Sequence, residues 1–95
     1  MSATVEQQDV YVAVGRRKNA TARVRLTRGE GKATVNGRDA EIYLYDENLM
    51  RLAFAPLETA ELTKDVNLLI KVTGGGPVGQ AGAIAHGIAR AVEKM

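Results

Sequence analysis

The residues best able to do chemistry in this chain are a run of cations, a glycine-rich segment and a histidine. The cations begin in the stretch Gly15-Arg16-Arg17-Lys18-Asn19, and Arg23 and Arg25 follow at alternate positions. Guanidinium groups donate paired hydrogen bonds to phosphate oxygens, so this run indicates phosphate contact. Such contacts position a protein on a nucleic acid without reading its base sequence. The alternative interpretation is the ordinary solvated face of a hairpin.

The glycine-rich segment Thr73-Gly74-Gly75-Gly76-Pro77-Val78-Gly79-Gln80 lies between a predicted strand and a predicted helix. Gly74, Gly76 and Gly79 match the spacing of a dinucleotide-binding loop, but the chain ends before the acid expected about 20 residues later on a further strand. A P-loop would place Lys and then Ser or Thr after Gly79, where this chain has Gln80. Free amides at a helix start still attract phosphate, which an RNA backbone can supply. The alternative is a plain glycine turn.

No set of side chains in the sequence fits a catalytic or metal site. His86 is the single histidine, and neither a nucleophile nor a second ligand accompanies it. The absence of Cys excludes disulfides, thiol nucleophiles and Cys-based zinc sites. Tyr11, Tyr43 and Tyr45 could stack on bases, although packing in the core or at its rim explains their spacing as well. The sequence therefore predicts a protein that is not an enzyme and needs no cofactor.

Charge is segregated along the chain, although the formal net charge is only +2. Residues 16–38 carry eight basic side chains and one acid, whereas residues 39–65 carry seven acids and two basic side chains. Binding to a polyanion explains this basic segment better than ordinary surface charge does. Part of the acidic segment has a structural explanation, because acids stabilise helix starts.

The hydropathy pattern predicts strands on either side of a short helical segment. In residues 20–27, apolar and polar side chains alternate, which is typical of a strand with one buried face. Further strands are predicted at residues 10–14, 32–35 and 65–73. We expect residues 20–27 and 32–35 to pair as an antiparallel hairpin. The cationic residues 15–19 then form the loop between the first two strands.

Helical spacing follows the first three strands. Asp39 and Asp46 are the predicted N-caps of two short helices, and Pro56 is the predicted end of the second. Residues 57–64 are interpreted as an irregular link. An apolar stripe over residues 81–92 predicts a long helix at the end of the chain.

These elements predict one α+β domain in the order β-β-β-α-(α)-β-α, with helices packed on a four-stranded sheet. Residues 9–95 are expected to form that domain, and residues 1–8 a flexible N-terminal tail. Gly82 and Gly87 each cost the last helix about 1 kcal/mol relative to Ala, which close approach of another backbone would offset. Because no apolar run could cross a bilayer and no secretory signal precedes the domain, we expect no membrane contact and a cytoplasmic location.

Three motifs in this chain resemble one known family. VGRRKNATARV (residues 14–24) resembles the opening of the bacterial small-subunit ribosomal protein numbered nine. GKATVNGR (residues 31–38) is similar to its second strand and turn, and GGGPVGQAGAIAHGIARA (residues 74–91) to its glycine loop and long helix. The motifs occur in the family's order, and the similarity covers residues 10–94. The resemblance implies a fold related to the second domain of small-subunit ribosomal protein five.

The resemblance also implies that the chain binds small-subunit ribosomal RNA in the head of the particle. It implies contacts with neighbouring head ribosomal proteins there, and a monomer outside the ribosome. In the family, the basic loop and the glycine-loop helix face RNA. Family members continue into a basic tail that reaches toward transfer RNA, and the sequence that ends at Met95 lacks this tail, so the resemblance does not extend to that contact. The RNA-binding residues that the resemblance implies here are Arg16, Arg17, Lys18, Asn19, Arg23, Arg25, Gly75, Gly76, Gly79, Gln80, His86 and Arg90.

Two other hypotheses remain open at this point. An engineered, reconstructed or truncated stand-alone core of the same fold would keep the architecture with weak or no ribosome assembly. A nucleotide-binding enzyme built on the glycine loop would melt at a higher temperature when nucleotide is added. Co-sedimentation with small ribosomal subunits distinguishes a ribosomal protein from both.

Overall fold

One mixed sheet and three helices make up the part of the chain that the structure, a computed structural model, describes: residues 10–95. The tail expected at residues 1–8 lies outside that range. The predicted α+β class and the order of the main elements are confirmed, and a two-residue strand is added to the expected four. The elements are β1 (Val10–Arg17), β2 (Ala20–Arg28), β3 (Ala33–Val35), β4 (Arg38–Asp39), α1 (Ala40–Tyr43), α2 (Glu47–Thr59), β5 (Val66–Thr73) and α3 (Pro77–Lys94).

The strands lie in the order β1-β2-β5-β3-β4. β5 pairs antiparallel with β2 and parallel with β3, so the predicted hairpin between β2 and β3 is wrong. β5 takes the central position because its alternate side chains Val66, Leu68, Ile70 and Val72 are all buried. A strand that lies between two others has more of its apolar surface removed from water than an edge strand has.

The turn at Asn36 and Gly37 accounts for the additional strand. The two residues have φ angles of 53° and 82°, and Asn-Gly is the pair favoured in two-residue hairpin turns of this geometry. The Asn36 side chain also binds β5: its Oδ1 accepts the amide N–H of Val72 at 2.9 Å, and its Nδ2 donates to the Val72 carbonyl at 3.0 Å. The side chain therefore extends the pairing of β3 with β5 by one residue.

Replacing Asn36 by Ala should destabilise the fold by about 2–3 kcal/mol. The change removes both bonds to Val72 and places a less tolerant residue in a left-handed backbone conformation. Urea unfolding measures the free energy of unfolding. Asn36→Gly is the matched control, because it keeps the backbone freedom and loses only the side-chain bonds. A midpoint for Asn36→Ala that matches the unchanged protein would refute this role.

α3 covers one face of the sheet, and the core lies between them. It packs across β1, β2 and β5, while α2 packs against α3. Val24 and Leu26 of β2 meet Ile84 and Ile88 of α3 in this core, and all four are fully buried. On the other face of β2, the alternate residues from Thr21 to Thr27 are exposed or half-buried. The sheet therefore presents one packed face and one open face.

The helices before β5 differ from the prediction in two respects. Asp46 caps α2 as expected, since its carboxylate accepts the amide N–H of Asn48 at 2.7 Å. Asp39 precedes α1 but forms no side-chain cap bond. The predicted end at Pro56 is also wrong, because α2 continues to Thr59. Proline removes one helical hydrogen bond, and burial of Leu57 in the last turn offsets that loss.

β1 and α3 approach closely at two glycines. A Cβ atom on Gly15 would overlap the carbonyl oxygen of Ala83 and the amide nitrogen of Gly87. A Cβ atom on Gly87 would lie 2.7 Å from Cγ2 of Val24. The close backbone approach predicted at Gly87 is therefore confirmed, and the backbone that approaches it is the protein's own first strand.

Candidate nucleic-acid interface

The cationic stretch predicted as a loop is mostly strand. Residues 15–17 belong to β1, and only Lys18 and Asn19 connect β1 to β2, because pairing continues to Arg17 opposite Ala20. The predicted loop at residues 15–19 is therefore too long. Lys18 has a φ of 56°, a left-handed conformation that costs a lysine about 1–2 kcal/mol. The β1–β2 turn is thus tight, and its strained residue carries a positive charge.

The pleat of the strands divides the cations between two faces. Arg17 lies on the helix side, where a Cβ atom on Gly82 would be 2.9 Å from its Cγ. The neighbour that approaches Gly82 is therefore a side chain and not the backbone that was predicted. Arg16 pairs with Thr21 on the open face, where Arg23 and Arg25 also lie. Among residues 10–95, none of these four arginine side chains has an ion-pair partner.

The glycine loop, residues 74–76, lies directly against this turn. Gly74 and Gly75 have φ angles of 78° and 66°, which glycine adopts at little cost. A Cβ atom on Gly74 would overlap the carbonyl oxygen of Asn19. Gly79 is buried, and its Cβ position lies 3.6 Å from the carbonyl oxygen of Arg17. The fold therefore brings together the two segments that the sequence singled out.

α3 begins in this loop, with Gly76 as its N-cap and Pro77 in its first turn. No side chain caps the helix, and the amides of a first helical turn lack acceptors within the helix. The Gln80 amide donates to the Gly76 carbonyl at 2.8 Å, where helical bonding starts. The partial positive charge at such an end attracts anions. The side chain of Lys18 starts beside this end of the helix, since its Cβ lies 4.0 Å from the Cβ position of Gly79.

The half-buried side chain of Gln80 holds the glycine loop. Its Nε2 donates to the Gly74 carbonyl at 3.0 Å, and its Oε1 accepts from the Tyr43 hydroxyl at 2.8 Å. That hydroxyl accepts in turn from Nδ2 of Asn36 at 3.2 Å. The sequence did not reveal this chain of hydrogen bonds, because its members lie far apart and follow no periodicity. It gives Tyr43 and Gln80 a positioning role at the loop.

Three side chains of α3 bind the free edge of β1. They recur every fourth residue and therefore share one side of the helix. β1 is an edge strand, and the unpaired backbone groups of an edge can recruit another chain. These side chains occupy part of that edge. His86 Nδ1 accepts the Arg16 amide N–H at 3.2 Å, Arg90 Nη1 donates to the Val14 carbonyl at 2.9 Å, and Lys94 Nζ donates to the Val12 carbonyl.

Within residues 10–95, the structure gives little support for a metal site or a membrane-spanning helix. No group of His, Asp and Glu side chains there is arranged to hold a metal ion. None of the helices in this range has the length and apolar character needed to span a membrane. A cavity of about 470 Å³ lies away from the turn, and Met50, Phe54 and Leu57 contribute to its lining.

A cationic turn packed against the uncapped start of a long helix, in a small α+β domain, is an arrangement that can hold an extended polyanion. The sequence model of the family described as ribosomal protein S9/S16 matches residues 15–95. The chain belongs to this family, which confirms the resemblance found in its three motifs.

Two curated relatives show the extent of the similarity. The small ribosomal subunit protein uS9 of Gloeobacter violaceus is 52% identical over 84 residues, which cover 87% of this chain and 63% of the relative. The protein of the same name from Nostoc punctiforme is 48% identical over 84 residues, which cover 87% of this chain and 61% of the relative. The chain therefore spans about three fifths of the length of these relatives.

Proposed function

We propose that this protein is a structural, non-enzymatic constituent of the small ribosomal subunit that binds ribosomal RNA in the subunit head. Membership of the S9/S16 family and the name shared by its relatives support this role. Neighbouring head proteins complete its set of partners, and the cytoplasm of a bacterial cell is its location. The domain is monomeric outside the ribosome.

One observation carries the RNA-binding part of the proposal: the contact between the β1–β2 turn and the glycine loop. Asn19 lies against Gly74, and Lys18 lies beside Gly79. An RNA backbone that crosses this point meets side-chain cations from the turn and backbone amides from the start of α3. Both groups suit phosphate oxygens, and neither requires a particular base.

The predicted site residues divide into two roles under this proposal. One set is exposed and faces phosphate. The other set has partners within the protein and holds the first set in place. The first set comprises Arg16, Arg17, Lys18, Asn19, Arg23, Arg25, Gly75 and Gly76. The second set comprises Gly79, Gln80, His86 and Arg90. His86 and Arg90 also border the RNA.

The experiment that tests the proposal measures binding of the 95-residue protein to transcribed small-subunit ribosomal RNA over a series of salt concentrations. The five cationic side chains of the first set predict a slope of log K against log salt of about −4. A large-subunit RNA of equal length is the control for specificity. Equal affinity for both RNAs, or a flat salt dependence, would rule the proposal out.

Co-sedimentation addresses assembly, which RNA binding alone does not. The tagged protein, expressed in a bacterium, should sediment with small subunits when a lysate is fractionated. Recovery of the protein only as a free monomer would favour a stand-alone core of the same fold.

Addition of nucleotide should leave the melting temperature unchanged, since the glycine loop binds phosphates of RNA in this proposal.

A further inference from the structure

We propose that the open face of the sheet is itself an RNA-binding surface, on which Lys71 contacts phosphate together with Arg23 and Arg25. This inference rests on the proposed function and adds a residue and a surface to it. We define the open sheet face by the alternate residues of three neighbouring strands that point away from α3. These are Val12, Val14 and Arg16 of β1, Thr21, Arg23, Arg25 and Thr27 of β2, and Asn67, Leu69, Lys71 and Thr73 of β5.

Like charges face each other across the centre of the open sheet face. Lys71 lies directly opposite Arg23 in the antiparallel pairing of β2 with β5, and Arg25 follows two residues further along. Like charges at directly opposed positions destabilise a sheet. β1, β2 and β5 contain no Asp or Glu, and none of these three cations has an ion-pair partner within residues 10–95. An anionic partner would relieve this repulsion.

A groove on the open sheet face is lined by both cations and apolar side chains. The groove has a volume of about 360 Å³ and is lined by Val12, Arg23, Arg25, Leu69 and Lys71. Leu69 is 54% exposed and Val12 is 37% exposed. A nucleic acid backbone suits this combination, since its phosphates can meet the cations and the carbon atoms of its sugars can meet Val12 and Leu69.

Continuity with the turn favours RNA over an acidic protein as the occupant. Arg16 and Thr21 form the end of the open sheet face and are separated from the β1–β2 turn by a single residue pair, Arg17 with Ala20. From Thr21 to Arg25 the strand advances four residues, or about 13 Å. A backbone that leaves the glycine loop can therefore pass the turn and run onto the sheet, with cations along its whole course.

The charge reversal Lys71→Glu tests this surface, because stability and RNA binding should respond in opposite directions. The substitution replaces a repulsive pair with Arg23 by an attractive one, so the melting temperature should rise by roughly 1–5 °C. Affinity for small-subunit ribosomal RNA should fall about tenfold, with a salt slope flatter by about 1. Lys64→Glu is the matched control: it changes the charge equally at an exposed position outside the open sheet face.

A second variant and a second ligand distinguish binding of RNA from binding of an acidic protein on this face. Lys71→Ala removes the phosphate contact without adding repulsion, so its affinity should lie between those of the unchanged protein and Lys71→Glu. An affinity loss in Lys71→Glu no larger than in Lys64→Glu would overturn the inference. Binding of poly-glutamate that depends on Lys71, without an effect on RNA, would overturn it in favour of an acidic protein. If the unchanged protein fails to bind the RNA, the proposed function itself fails.

Discussion

Simultaneous replacement of Arg16, Arg17 and Lys18 by Ala should weaken binding to small-subunit ribosomal RNA by about 100-fold at physiological salt. Each side chain is exposed, and the proposed function assigns each of them one phosphate contact at the turn. Loss of three contacts should flatten the slope of log K against log salt by about 2–3. Filter binding or fluorescence anisotropy over a salt series measures both quantities.

A matched triple variant separates position from net charge. Arg38, Arg51 and Lys64 are exposed cations away from the turn, and their replacement by Ala removes the same total charge. This variant should lose only a small part of the affinity and keep most of the salt slope. If both triple variants lose affinity equally, net charge rather than the turn drives binding, and the assignment of the turn is wrong.

The substitution Gly15→Ala should cost about 3 kcal/mol of folding free energy or more. The added methyl group would overlap backbone atoms of Ala83 and Gly87, and no side-chain rotation can move a backbone atom away. α3 must therefore shift away from β1. Thermal unfolding should show a melting temperature lower by about 12 °C or more. RNA binding should fall as well, because the same shift separates the turn from the glycine loop.

Gly76→Ala is the control for Gly15→Ala. Gly76 has a φ of −96°, and a Cβ atom there would meet no atom within 4 Å. Its replacement at the helix N-cap should change the free energy of unfolding by less than about 1 kcal/mol. A Gly15→Ala protein that melts within two or three degrees of the unchanged protein would show that β1 and α3 are not packed as closely as described.

Periodicity in the sequence predicted the elements better than their arrangement. Two-residue alternation identified β2 and β5, and helical spacing identified α3. Alternation determines which face of a strand is buried, but it does not determine which strand lies beside it. Pairing of β2 with β3 was the simple expectation for neighbours in the chain. The buried side chains of β5 made the central place more favourable for that strand.

The pattern of residue types did not predict the short strand β4, for a different reason. Arg38 and Asp39 carry no apolar alternation, so nothing in them indicated a strand. They pair because the turn at Asn36 and Gly37 directs the chain back along β3. The strand predicted at residues 32–35 stopped before Asn-Gly, although this pair strongly favours a hairpin.

The candidate site was visible in the sequence as two separate segments. The cations of the turn and the glycines of the loop were identified by type and spacing, but their contact depends on how β1 packs against α3. The bonds from Gln80 to Tyr43 and from His86 to β1 join residues 37 and 70 positions apart. Such pairs leave no periodic pattern in one sequence, so the residues that hold the site in place could not be distinguished from those proposed to face RNA.

Ultraviolet cross-linking of the bound protein to small-subunit ribosomal RNA tests the RNA-binding surface most directly, with the cross-linked peptides identified by mass spectrometry. We predict cross-links in the β1–β2 turn, residues 16–19, and in the glycine loop and the start of α3, residues 74–80. The peptides of α2 (Glu47–Thr59) should carry none. Cross-links concentrated in α2, with the turn and the glycine loop unmodified, would contradict the proposed surface.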